Sequence, residues 1–461
     1  MRWTNACRLA ATFAGVATLG FAAPAASQAS FTAPYTTQCS GTKATQLGTS
    51  LQEPIASVWI NQFGGGDTTS PLSCAAQHVE LNYETLPSSE VLQELGSVNG
   101  IRNPAVKLGG SEEPPSISQW LNIDLGSKPF SGSGLIRQIP VAIAAVTPIV
   151  NFPEECSIPA KEATTDGRFT VTNAQLEKVF AGEIATWGQL LPGMEESCAS
   201  IPIERIVPEG SEGTTYVFKQ WLNTVAPSAG WPESSTMPNA SWPNDGGATA
   251  TVRSTGGDFG EAKLVARTSG SIGFASLARA RFFEFGHFSP ENPDYNSNNK
   301  MFWLSLENGS GQRVEPTRDP NSGADNVRGS NCDNPRFNVT PSGYDTTATP
   351  IWRSVSAAGS KTGWPICTLV YDLAWDDAAP VYGNTNEVEG EQRTVKDYLA
   401  YVLGGAGQEE AEKADFSALP AAFLADAKDG QSRVGWNKFP GSKEEEEKGV
   451  SKEISAAASH H

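Results

Sequence analysis

Four short turns in this sequence, three of them setting small residues just ahead of helical apolar patterns, could share the chemistry of anion binding. Gly48-Thr49-Ser50 precedes Leu51, Ile55, Val58 and Trp59, and Pro87-Ser88-Ser89 precedes Val91, Leu92 and Leu95. Gly210-Ser211-Glu212-Gly213-Thr214-Thr215 precedes Val217, Phe218, Trp221 and Leu222. A helix start offers free backbone N–H groups and a partial positive charge, and a Ser or Thr hydroxyl adds a donor. The fourth turn, Leu108-Gly109-Gly110-Ser111-Glu112-Glu113-Pro114-Pro115, brings carboxylates instead. A carboxylate suits an oxyanion that still carries a proton: monohydrogen phosphate can donate one and sulfate cannot. Any one of these turns could be an ordinary helix cap. Their recurrence is what points to one shared anion.

Other chemistry has little to work with. Of four histidines, only His78 and His287 could serve as a catalytic base. His78 opens the alternating stretch Val79, Leu81, Tyr83, and His287 follows Phe282, Phe283 and Phe285, so both read as packing or surface positions. Gly210–Thr215 lacks the lysine of a phosphate-binding P-loop. There is no CxxC pair. Neither an enzyme, a metal site nor a cofactor is expected.

Positioning such turns takes a scaffold. The chain has 461 residues, 39% of them apolar and only 18% charged, with 45 Gly and 31 Pro, which suits a loop-rich globular protein with a sizeable core. Its 33 basic and 51 acidic side chains leave a net charge of -18, which argues against a nucleic-acid partner. Strand patterns at 79–83, 141–150 and 201–207 alternate with helical ones. Between the last two strands, Thr172 and Gln175 form a capping-box pattern ahead of Leu176, Val179 and Phe180, and Gly182 ends that helix. Such alternation predicts an α/β fold with mainly parallel sheets flanked by helices. Residues 287–363, rich in Asn, Asp, Gly, Pro and Ser, read as a long loop or a few short strands.

Both ends look peripheral. Arg2 and Arg8, the apolar stretch Leu9 to Ala26 and the small residues Ala23-Pro24-Ala25 predict a cleavable export signal over 1–26. Residues 443–461, with four consecutive glutamates from Glu444 to Glu447, are expected to be a disordered acidic tail. Six cysteines follow the signal, and an even number in an exported chain reads as disulfides. Nearest-neighbour spacing suggests Cys39–Cys74, Cys156–Cys198 and Cys332–Cys367, loops of about 35 to 43 residues worth roughly 3–4 kcal/mol each. Sequence alone does not select among the pairings.

Longer segments carry a resemblance. Val171 to Leu190, VTNAQLEKVFAGEIATWGQL, includes a Phe-Ala-Gly-Glu-Ile-x-x-Trp pattern. With Val150-Asn151-Phe152-Pro153, Gly213–Phe218, Gly270–Phe274, Trp364-Pro365-Ile366 and Phe416–Pro420, it resembles the PstS-like family of periplasmic phosphate-binding proteins. The matching pieces run in family order from about residue 46 to 425. This resemblance implies a type II periplasmic binding protein: two lobes joined by a hinge, closing on inorganic phosphate or a similar oxyanion. The implied division is 31–140 for the first part of lobe 1, 141–279 for lobe 2 and 280–442 for the return, with crossings near Gln138–Val141 and Gly273–Arg279.

By position, Ser50 with the Leu51 backbone, Ser88, and Gly213 with Thr214 match the family's phosphate-contacting turns. Ser111, Ser211 and Thr215 are secondary candidates. Glu112 falls where the family usually has Asp. Pro208 stands where the family has its arginine and Glu212 where it has a serine, with Arg205 the nearest substitute cation. A monomeric, exported (periplasmic or extracellular) protein delivering its ligand to an ABC permease is implied. The departures at Pro208 and Glu212 also fit a PstS-like surface or adhesion protein with a degenerate ligand site.

Overall fold

The computed structural model describes residues 35–95, 103, 105–116, 119, 136–163, 168–210, 212–231, 241–246, 251–283, 301–318, 329–332 and 362–437. The expected export signal, the acidic tail, Ser211, His287 and most of 287–363 lie outside the described residues. Among those described, no helix is long and apolar enough to cross a membrane.

The strands are β1 Ala44–Gly48, β2 Leu81–Thr85, β3 Val106–Ser111, β4 Ile136–Asn151, β5 Glu204–Pro208, β6 Thr251–Ser254, β7 Ser271–Ser276, β8 Met301–Trp303, β9 Leu306–Glu307, β10 Arg313–Val314 and β11 Cys367–Trp375. The helices used below are α1 Glu53–Asn61, α2 Ser88–Leu95, α3 Asn173–Phe180, α4 Trp187–Leu190, α5 Gly213–Val225, α6 Gly257–Arg267 and α7 Leu277–Phe283.

Nine strands form one curled sheet in the order β2-β1-β3-β11-β4-β7-β5-β6, with β8 also on β4. Pairing is parallel toward both ends, β2-β1-β3 on one side and β7-β5-β6 on the other. The centre is antiparallel, because β11 returns beside β4 from late in the chain. This is the α/β class that the alternating patterns predict.

Strand β4 makes the sheet continuous. All 16 of its residues are buried, so it reads as an apolar run rather than an alternation. Ile136 to Ala145 pair with β11, and Val146 to Asn151 pair with β7. The register against β11 slips at Val141, immediately after Pro140. Proline cannot donate to a ladder, and a bulge is where a central strand tolerates one.

Expected local features recur with small shifts. The Thr172 hydroxyl accepts the Gln175 N–H at 3.1 Å and the Gln175 side chain accepts the Thr172 N–H at 2.9 Å, capping α3. Thr186 and Gln189 build a second capping box on α4. Gly182 follows α3 at φ +72°, where a side chain would be strained. The first predicted strand begins later, at Leu81, because Gln77 and His78 form a turn with His78 at φ +51°. Within 287–363, the described residues carry the three short strands β8 to β10.

Aromatic packing holds the β5-β7 side. The Phe218 ring on α5 stacks on Phe274 of β7, centroids 4.2 Å apart and planes 12° apart, and Phe180 meets both edge-on. The cysteines pair as nearest neighbours: Cys39–Cys74, Cys156–Cys198 and Cys332–Cys367.

Candidate functional site

The turn after β1 leads into α1. Its Gly48 packs against the Tyr83 ring, whose hydroxyl a methyl there would meet and which donates to the Thr49 carbonyl at 2.7 Å. Gln52 anchors the same turn by donating to Asp372 Oδ1 at 2.7 Å, joined there by Gln46 at 2.9 Å. Helix α1 starts only at Glu53, so Ser50 is not its cap. Ser50 Oγ instead accepts the backbone N–H of Asp258 at 2.7 Å. The Leu51 N–H has no hydrogen-bond acceptor among the described residues.

Glu112, just past β3, gathers the neighbouring hydroxyls. It is fully buried and accepts Thr49 Oγ1 at 2.6 Å and Ser88 Oγ, from the start of α2, at 3.3 Å. Ser111 faces elsewhere, its hydroxyl closed in a local turn with Glu113.

From the other side comes the N-terminus of α5. A methyl on Gly213 would sit 2.2 Å from Glu112 Oε1, so the carboxyl packs directly against this glycine. The hydroxyls of Thr214 and Thr215 are buried with no hydrogen-bond partner among the described residues. Their helix places its first N–H groups beside Glu112, where nothing intrahelical can accept them. Glu212 occupies the N-cap position without capping.

A fifth turn completes the arrangement, and the sequence reading passed over it. Gly256 and Gly257 take φ of +84° and +59°, and a methyl on Gly257 would lie 2.2 Å from Ser50 Oγ and 3.3 Å from Glu212 Cδ. Asp258 follows, in the first turn of α6, with its carboxylate accepting the Ser276 N–H at 2.7 Å and hydroxyl at 2.5 Å. The signal was present as Ser254-Thr255-Gly256-Gly257-Asp258, a small-residue turn between a short β pattern and the helical Phe259, Ala262, Val265.

Arg205 is not the cation of this site. Its guanidinium donates to the carbonyls of Phe180 at 2.7 Å, Pro243 at 3.1 Å and Asn244 at 3.1 Å. Side chains alternate along β5, and position 205 faces that carbonyl cluster. The cation beside the cleft is Arg279 of α7, paired with Glu53 of α1 and lying 5.0 Å over the Phe259 ring. A cleft of about 410 Å³ opens here, lined among others by Ser50, Glu53, Glu212, Gly257, Phe259 and Arg279.

The carboxyls of this region hold protons unusually well. Burial, with the charges of Glu112, Asp258 and Glu90 behind it, pushes Glu212 up to about 8. Burial raises Glu112 to about 7 despite the Thr49 hydrogen bond, and Asp258 to about 6 despite Ser276 and Arg279. A protonated carboxyl can donate to an anion that an ionised one would repel.

The cluster among the described residues with metal-ligand spacing lies elsewhere. It is Cys39, Cys74 and Asp397, where the sulfurs form a disulfide and Asp397 accepts the Cys39 N–H at 2.8 Å and the Tyr35 hydroxyl at 2.6 Å. Those contacts describe a structural clasp.

Residues 33–282 match the PBP superfamily domain. The phosphate-binding protein PstS of Xylella fastidiosa is 25% identical over 294 residues, 62% of this chain and 64% of that protein, so the match spans less than two thirds of the relative. Alkaline phosphatase L of Pseudomonas aeruginosa is 34% identical over 140 residues, 28% of this chain and 34% of that one. A crystal structure of an ancestral soluble variant of the human phosphate-binding protein superposes with a TM-score of 0.57 at 18% identity, covering 83% of this chain and 92% of that one, a likeness of fold. More than half of the chain lies in the matched domain, and the chain belongs to the PBP superfamily, with PstS-like phosphate-binding proteins among its relatives.

Proposed function

We propose that this protein is an exported solute-binding protein that captures phosphate or a similar oxyanion in the cleft and delivers it, as a monomer, to an ABC permease. The observation that carries this reading is that Thr49, Ser88 and the Gly213 end of α5 all meet the buried Glu112 carboxyl; Ser50 and Thr214 are proposed to complete the site. Hydroxyls and an unpaired helix N-terminus supply donors there, and a carboxyl supplies a place for the ligand's proton. Three disulfides fit an oxidising, extracytoplasmic compartment. The names of the relatives support the ligand class.

Two lobes would form the jaws, one built on β2-β1-β3-β11 and the other on β7-β5-β6. The long strand β4 would serve both, pairing with β11 as far as Ala145 and with β7 from Val146, and the proposed first crossing, Gln138–Val141, lies on it. Residues 31–140 and 280–442 would form the first lobe and 141–279 the second.

The anchor differs from that of the resembled family. Pro208 ends β5 and Glu212 faces the cleft, so binding rests on dipoles, hydroxyls and protonated carboxyls. Such a site favours a singly charged oxyanion and loses affinity once Glu112 and Glu212 ionise. Binding without turnover is part of the reading: His78, the one described candidate base, is exposed in a turn and does not line the cleft.

Isothermal titration of phosphate-stripped protein tests it. Heat with phosphate at about pH 6, weakening toward about pH 9 as the carboxyls ionise, is the expected result. No heat at either pH would leave a surface role with a vestigial cleft.

A further inference from the structure

The cleft is larger than a bare oxyanion requires. At about 410 Å³ it exceeds ten times a water's share of liquid volume, roughly 30 Å³, and falls in the range of organic-ligand pockets. A phosphate ion, with five heavy atoms, would fill only a fraction of it.

The walls differ in chemistry. Ser50 and Glu212 both line the cleft, although Glu212 is only 6% exposed. Burial and the neighbouring charges of Glu112, Asp258 and Glu90 favour the protonated form of the Glu212 carboxyl. One wall is apolar, made by Leu86 and Pro87 ahead of α2. Phe259 also lines the cleft, with the Arg279 guanidinium 5.0 Å from its ring centroid. Glu53 holds that guanidinium, and Arg279 Nε is buried with no hydrogen-bond partner among the described residues.

This combination fits a ligand with two ends. An acidic head group that still carries a proton would satisfy Glu212 and meet Ser50, with Arg279 offsetting its charge. An apolar substituent would lie between Leu86, Pro87 and Phe259, displacing water that inorganic phosphate would leave in place.

We propose that the cleft takes a monosubstituted phosphorus oxyacid, a phosphate monoester or a phosphonate, with its head group at Ser50 and Glu212 and its organic substituent against Leu86, Pro87 and Phe259. This rests on the oxyanion-capture reading and narrows it to a substrate class. Glu212 sets the head-group specificity and Phe259 the preference for a substituent.

The test uses the full exported chain, stripped of bound anion, with inorganic phosphate and phenylphosphonate titrated separately at about pH 6. Phenylphosphonate, which has no ester bond to hydrolyse, is expected to bind at least about tenfold more tightly than phosphate. Phe259→Ala is expected to reduce that ratio, and Leu86→Ser to reduce it independently should the first variant fold poorly. Phosphate binding with a ratio below tenfold overturns this proposal and leaves the oxyanion reading standing. Failure of both ligands to bind overturns the two together. Binding of phenylphosphonate alone supports the proposal.

Discussion

The Ser50 hydroxyl accepts the backbone N–H of Asp258 at 2.7 Å, tying together turns 208 residues apart on opposite sides of the cleft. Ser50 follows β1 and Asp258 opens α6, so this bond and the Arg279–Glu53 ion pair both span the proposed jaws. They would hold the proposed jaws together, and several expectations rest on them.

Ser50→Ala leaves the Asp258 N–H without its acceptor. A buried unsatisfied donor costs about 1–3 kcal/mol, so the melting temperature should fall by several degrees. Phosphate affinity should drop at least about tenfold, because the variant also loses a cleft hydroxyl. Unchanged melting and affinity would show that the contact is incidental.

Thr214→Val separates binding from stability. The Thr214 hydroxyl is buried without a partner among the described residues, so replacing it with an isosteric methyl should preserve or raise stability. If that hydroxyl donates to the anion, affinity should weaken by roughly 1.5–3 kcal/mol in titration calorimetry. A loss of stability with unchanged affinity would make the turn a simple helix start.

Stability should decline as pH rises. Glu112 and Glu212 have folded-state values of about 7 and about 8 against an ordinary 4.5. A raised carboxyl binds its proton more tightly when folded, so its contribution is complete below about 4.5 and is lost up to the folded value. Melting temperatures should therefore fall between about pH 5 and about pH 8, and Glu212→Gln should flatten the upper part of that fall. A flat profile in the parent protein would contradict proton retention.

Gly213→Ala should destabilise the fold by about 1–3 kcal/mol, since its methyl would lie 2.2 Å from Glu112 Oε1. Glu112→Asp withdraws that carboxyl by one methylene. Combined with Gly213→Ala it should recover part of the loss, a coupling that a double-mutant cycle of chemical denaturation measures.

Arg205→Met should damage the fold rather than the site. Removing a buried guanidinium that donates to three carbonyls leaves those acceptors unpaired, at about 3 kcal/mol or more. Protein that remains folded should bind phosphate within about threefold of the parent. A far larger loss would restore Arg205 to the ligand site.

Much was legible in the chain because it depends on near neighbours. The Thr172–Gln175 cap, the Gly182 stop and the apolar period of α5 are set within one or two helical turns, where side chains act on their own backbone. The cysteine pairs likewise close loops of only 35 or 42 residues. The turns carrying Ser50, Ser88, Glu112 and Gly213 were visible as small residues ahead of helical patterns, and the fold brings them into contact. Other features depend on partners that local periodicity does not specify. That Asp258 reaches Ser50 and that Arg279 pairs with Glu53 follow from how segments 208 and 226 residues apart are set side by side, and the direction Arg205 faces is set by the carbonyls of Phe180, Pro243 and Asn244. Composition and spacing thus determined the elements and their caps. The tertiary structure alone decided which polar groups share a buried cleft, because burial and long-range pairing are properties of the assembled sheet rather than of any one segment.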